Sequence, residues 1–176
     1  MIQRIQSIFL FLAASFNIAF LFLPFWAVMN PDMADGGSKT IDASPMHVEV
    51  ATSQMSIDNP FSNETFSYSD NTFLLLQMIV VGLVSLLLLV NIFMYGNRGL
   101  QIKLGYGAIV LLMAQFLLMI PIRTWIQDMA GVAGASYQSV PQFGLAAPVL
   151  ALIFTWWAIK RIQKDEKMVQ GMDRLR

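Results

Sequence analysis

The sequence predicts an all-α membrane protein, a four-transmembrane-helix bundle with both termini cytoplasmic and a large acidic extracytoplasmic first loop. Three observations carry this. The 176-residue chain is 56% hydrophobic and only 12% charged, about half the roughly 25% charge of a soluble domain. It holds four apolar runs that approach the roughly 20 residues a helix needs to cross a hydrocarbon core about 30 Å thick. Its basic residues collect in alternate connecting segments, the pattern that sets orientation in membranes.

The first run, 5–29, is interrupted only by Gln6, Ser7, Ser15 and Asn17; the second, 73–94, by Gln77, Ser85 and Asn91; the third, 104–122, by Gln115. None of the three holds a formal charge. The fourth, 143–161, reaches spanning length only if Lys160 and Arg161 lie along its end and snorkel to the interface. The first run is too long for the apolar core of a signal peptide and lacks a small-residue cleavage site, so it reads as a span. Arg4, Arg98, Lys103, Lys160, Arg161, Lys164, Lys167, Arg174 and Arg176 fall on one side, against Lys39 and Arg123 on the other. The first side is therefore expected to be cytoplasmic. Trp26 and Trp125 at outer ends, with Tyr95, Tyr106, Trp156 and Trp157 at inner ends, fit the aromatic belts of such a protein.

The residues form one domain, 1–176, without internal repeats. The outer loop, 30–72, sets seven acids (Asp32, Asp35, Asp42, Glu49, Asp58, Glu64 and Asp70) against Lys39. Within it MHVEV at 46–50 alternates in polarity, and 54–57 can return after a turn, which predicts a short β-hairpin. The glycine-rich stretch 131–139 reads as a flexible outer linker.

Little chemistry is available to such a chain. The absence of cysteine removes disulfides, thiolate nucleophiles and thiolate metal ligands. His47 is the single histidine, and Asp32 and Asp35 lack the spacing of an EF-hand loop. No catalytic, cofactor-binding or metal-ligating residues are assigned, and zero net charge provides no field for nucleic acid. Inside the spans Asn17, Gln77, Asn91 and Gln115 are polar but not ionisable. They read as interhelical hydrogen-bonding residues, each pair worth about 0.6 kcal/mol, or alternatively as the polar lining of a permeation path. Arg123, two residues after Pro121, is a candidate for interfacial ion pairing with a loop carboxylate or a lipid phosphate.

The last stretch, 160–176, concentrates nine of the chain's twenty-two charged side chains. Lys160, Arg161 and Lys164 are accounted for by orientation alone. The remainder reads as a cytoplasmic helical tail, 162–176, continuing span four, with Arg161 and Asp165 one turn apart as an ion pair. Met168, Met172 and Leu175 form an apolar stripe edged by Val169. Lys167, Met168, Val169, Met172, Asp173, Arg174, Leu175 and Arg176 are thus the candidate docking residues, against a protein surface or the membrane face. Interspersed acids make the tail a poor nucleic-acid arm.

The two ends carry a resemblance. MIQRIQS at 1–7, FLPF at 22–25, KDEK at 164–167 and DRLR at 173–176 resemble an uncharacterised four-span family of Bacteroidota, domain of unknown function 4293. MVQGM at 168–172 departs from the more basic stretch expected there. The resemblance implies a bacterial inner-membrane protein without assigned activity or catalytic residues. The expected function is a non-enzymatic structural or accessory subunit of an inner-membrane complex, without cofactor. Its partners are then the lipid bilayer and other inner-membrane proteins or further copies of itself, with no nucleic acid. A small oligomeric transporter or channel, and more remotely a lipid-active membrane enzyme, are the alternatives.

Overall fold

A computed structural model describes residues 3–30, 38–53, 61–67, 72–94, 96–129 and 138–173. The chain is mostly helical, with α1 (Gln3–Ala19), α2 (Thr72–Phe93), α3 (Arg98–Met129) and α4 (Ala146–Asp173). Five strands accompany them: β1 (Trp26–Asn30), β2 (Ser38–Ala43), β3 (His47–Ser53), β4 (Phe61–Ser67) and β5 (Gln138–Pro141). They form one antiparallel sheet in the order β4-β3-β2-β1-β5. The fold divides into two compact units, one of Met1–Ala19, Val80–Gln115 and Ala147–Arg176, the other of Phe20–Ile79 and Phe116–Ala146.

Three helical stretches are long and apolar enough to cross a membrane: Thr72–Phe93, Arg98–Gln127 and Phe143–Val169. Leu86, Val110, Leu117 and Ile120 are each at least 60% exposed, an outward apolar surface that water would not tolerate and lipid would. The first helix differs from its expected span of 5–29. It stops at Ala19, and its 17 residues cover about 26 Å, less than a hydrocarbon core of about 30 Å. Pro24 limits the helix, because it has no N–H to bond the Phe20 carbonyl four residues back, its ring clashes with that carbonyl, and it disfavours helical geometry at Leu23. The apolar run continues past Pro24 as strand β1. A continuous apolar stretch fits a buried strand as well as a helix, and here pairing partners on both sides decide for the strand.

Much of the expected outer loop is sheet, and the strand expected at 46–50 is largely β3. β3 pairs with β2 on one side and with β4 on the other; the hairpin arm expected at 54–57 lies outside the described residues. The register aligns Val28 with Ile41 and Ala43 with Val48. These four side chains are fully buried and, by strand alternation, share one face. Thr40 and Asp42, which alternate with Ile41 and Ala43, are only partly buried. β5 pairs with β1, so part of the expected 131–139 linker is strand; 131–137 lies outside the described residues.

At the edge of this sheet the backbone approaches itself closely. Phe25 N–H donates to Ala43 O at 2.8 Å, Gln142 N–H to Phe25 O at 3.1 Å and Gly144 N–H to Pro24 O at 2.9 Å. A Cβ on Gly144 would lie 2.4 Å from the Pro24 oxygen, so only glycine permits this approach. Phe20 and Phe25 pack beside the junction, ring centroids 5.7 Å apart.

In the other unit the helices meet over Leu10, Ala13, Ala14, Val84, Leu88, Ala108, Leu112, Ala151 and Ala158. Five alanines among these nine let helix backbones come close, the usual solution where lipid removes the hydrophobic drive between helices. Aromatic rings close the α1/α4 seam: Phe154 stacks on Phe9 and Phe16 at 6.2 and 5.6 Å, and Trp157 meets Phe9 edge-on at 6.0 Å.

Gly144→Ala is expected to destabilise the protein by about 1–3 kcal/mol through overpacking against backbone. Gly107→Ala meets nothing within 4 Å and should be neutral or stabilising by up to about 1 kcal/mol. Thermal unfolding in detergent, followed by circular dichroism, checks both. Equal effects of the two substitutions would refute the close-approach account.

Candidate functional site

The site forms where α2 ends, α3 begins and α4 runs on. Asn97 sets it up locally by capping α3: its Oδ1 accepts from Leu100 N–H at 3.2 Å, and its carbonyl accepts from Gln101 N–H at 3.0 Å. Gln101, buried, turns back to donate from Nε2 to Asn91 O at 3.1 Å. That bond satisfies one of the carbonyls left open at the end of α2.

Around this turn α4 is tied to two other helices. Asp165 is buried and its carboxylate accepts a hydrogen bond from Nε2 of buried Gln6 on α1. Its backbone carbonyl accepts one from Arg98 Nη1 at 3.3 Å. Two residues earlier, Gln163 Nε2 donates to Tyr106 Oη at 3.0 Å. Gly105 allows the α3/α4 approach that these bonds need; a Cβ there would lie 2.7 Å from Ile159 Cγ1. Arg161, expected to pair with Asp165, is exposed and lines a neighbouring cleft. The carboxylate's partner is thus a neutral amide on α1, in surroundings where a side-chain ion pair would lose more hydration.

Asp165 belongs to the helical tail that the sequence predicts at 162–176, and the signal of its burial is present there. Ala151, Thr155, Ala158, Ile162 and Asp165 are all buried and recur at steps of four and three, one face of a helix. The next members of that stripe are Val169 and Met172. Val169 is 38% exposed and its neighbour Met168 44%. Beyond Asp165 α4 extends eight residues, about 12 Å. Val169 and Glu166 border a groove of about 320 Å³ completed by Gly96, Asn97, Arg98 and Gly99. Lys167 is exposed. Met172 and Asp173 occupy the last turn of α4, and Arg174, Leu175 and Arg176 lie outside the described residues.

The four amides of the apolar runs, Asn17, Gln77, Asn91 and Gln115, are all fully buried. Asn17 joins α1 to α2, donating from Nδ2 to Val81 O and Ser85 Oγ, each at 2.9 Å. Both side-chain polar atoms of Asn91 and of Gln115 have no hydrogen-bond partner among the described residues. Gln77, in the unit that holds the sheet, is in the same condition. Arg123 is exposed, with its guanidinium 4.7 Å from the centre of the Trp26 ring, a cation–π contact worth about 0.5–1 kcal/mol; of the loop carboxylates expected as its partners, Asp32, Asp35, Asp58 and Asp70 lie outside the described residues. No group of three or more metal-ligating side chains occurs among the described residues, and Asp32 and Asp35 lie outside them.

Removing the acceptor at Asp165 should be costly because it strands the Gln6 amide in the bundle. Asp165→Leu is expected to lose about 1–3 kcal/mol of stability, and Asp165→Asn, which keeps an acceptor oxygen, less. Unfolding by mixed micelles of sodium dodecyl sulfate measures both; two variants of wild-type stability would remove the anchoring role.

No curated protein matches the chain. A family profile does, over residues 2–175, nearly the whole length, and it is described only as a domain of unknown function. A mostly helical chain with three helices of membrane-crossing length, sharing that profile from end to end, belongs to the DUF4293 family.

Proposed function

We propose that this protein is a non-enzymatic accessory subunit of a bacterial inner-membrane complex, docking a partner protein on the free end of α4. The carrying observation is the stripe that is buried through Asp165 and exposed at Val169. A helix face that is core along most of its length and then meets solvent beside a groove supports a contact surface better than a solubilising tail. The Gln6 and Arg98 bonds hold this surface in place, which lowers the ordering cost of binding. Residues 167–176 are its extent, with Met168, Val169 and Met172 as apolar anchors.

The orientation proposed with it is four spans with both termini cytoplasmic, supported by nine basic residues on one side against two. On this topology α1 crosses as the shortest span, its deficit met by local thinning of the bilayer. The sheet then presents the extracytoplasmic contact surface.

A small transporter or channel is the second reading. The observation favouring it is the set of unpartnered amide atoms at Asn91 and Gln115, since each such group costs about 1–3 kcal/mol unless a polar species reaches it. Reconstituted flux that is lost on replacing both by Leu is the result this reading needs.

Co-purification from native membranes in mild detergent should yield a stoichiometric complex that Met168→Ser with Val169→Ser disrupts and Lys103→Gln leaves intact. An unchanged complex with the double variant would refute the tail's docking role. Because the chain has no cysteine, single replacements report orientation cleanly. Met46→Cys should react with a membrane-impermeant maleimide in intact spheroplasts, and Lys103→Cys only after permeabilisation; the opposite pattern reverses the proposed orientation.

A further inference from the structure

We infer that the cleft between α1 and α4 is a headgroup site for an anionic phospholipid. The cleft holds about 510 Å³ and is lined by Phe9, Trp157, Lys160, Arg161 and Lys164. Four of these lie at 157, 160, 161 and 164, the one-face spacing of a helix, and Phe9 closes the cleft from α1. Its floor is fixed by the edge-on contact of Phe9 with Trp157 and by Phe154, whose ring meets both. No acid is among the lining residues. The nearest carboxylate along the helix, Asp165, is buried and engaged by Gln6, so three cations are left facing one opening.

The arrangement selects for a molecule with two chemically distinct ends. Along α4 the stripe runs from exposed Ile153 through half-exposed Trp157 to Lys160, Arg161 and Lys164. Apolar surface therefore passes through an interfacial aromatic into positive charge in the order that a phospholipid presents acyl chain, glycerol and phosphate. Arg161 offers the planar fork that binds phosphate oxygens in pairs, and Lys164 a mobile point charge beside it. Lys160 is held partly aside, its ammonium 5.2 Å from the centre of the Trp156 ring. A free phosphate would use the cations and leave the aromatic floor uncovered, so the lipid is the occupant that uses the whole cleft. This site is independent of the docking surface at Val169, and neither proposal needs the other.

The test is native mass spectrometry of the full chain, with delipidated protein titrated by phosphatidylglycerol, by phosphatidylcholine and by inorganic phosphate. Wild type is expected to retain phosphatidylglycerol in preference to phosphatidylcholine. Arg161→Gln with Lys164→Gln should weaken that retention about tenfold or more, since each basic side chain near a headgroup contributes about 1 kcal/mol. Lys39→Gln with Lys103→Gln removes the same charge elsewhere and should leave it unchanged. Trp157→Leu keeps the cations and should lower retention of phosphatidylglycerol without affecting phosphate. Equal weakening by both charge-matched pairs would overturn the site in favour of a diffuse electrostatic effect. Phosphate that binds wild type alone and displaces the lipid would overturn the lipid assignment in favour of a free anion.

Discussion

In a bundle whose outward faces are apolar, a buried polar group cannot turn to water, and several here find partners on another helix or on their own backbone, while Asn91 and Gln115 find none among the described residues. Much of what is particular to this protein follows from that constraint. Ser85 and Thr155 donate to carbonyls one turn back on their own helices. Asn17 reaches across to α2, Gln101 returns to the end of α2, and Asp165 is met by Gln6 and, through its carbonyl, by Arg98. Each bond contributes modestly, but leaving its buried group alone would cost more than making it gains. The polar side chains therefore fix which helix faces meet, while the alanine-rich contacts fix how closely.

The same constraint gives the end of α4 its character. Asp165 is the last buried member of the stripe among the described residues, and its partners come from α1 and α3. Past it the stripe continues in Val169, which is part exposed. Rigidity and exposure meet at this point. A flexible tail bearing the same residues would pay the ordering cost at each encounter; a helix anchored at Asp165 has paid it on folding. One turn before the anchor, Lys160, Arg161 and Lys164 line a cleft with Phe9 and Trp157, so charge and aromatic surface share one opening.

Helix lengths were legible in the sequence where an apolar run was both long and free of proline. The run 73–94 and α2 (Thr72–Phe93) nearly coincide. Legibility failed at Pro24, where one apolar run is divided between a helix and a strand, and at 131–139, where composition resembles a linker and part of it is β5. Strand pairing is decided by residues distant in the chain: Trp26 aligns with Ala43 on one side and with Pro141 on the other. No local pattern encodes such a partnership. Gly144 shows the same limit, since its requirement for glycine arises from the Pro24 carbonyl rather than from its own neighbours.

By itself the sequence determined that the chain is an apolar, mostly helical protein with helices of membrane-crossing length, that its basic residues are unevenly placed, and that it holds no thiol chemistry. These properties are sums over residues or local periodicities, and they survive any arrangement of the helices. Tertiary structure alone decided that Asp165 is met by Gln6 of α1, that Arg123 lies over the Trp26 ring, and that β2, β3 and β4 join β1 and β5 in one five-stranded sheet. The reason is physical: whether a side chain is core, surface or ligand depends on what lies opposite it, and the opposing residues come from other parts of the chain.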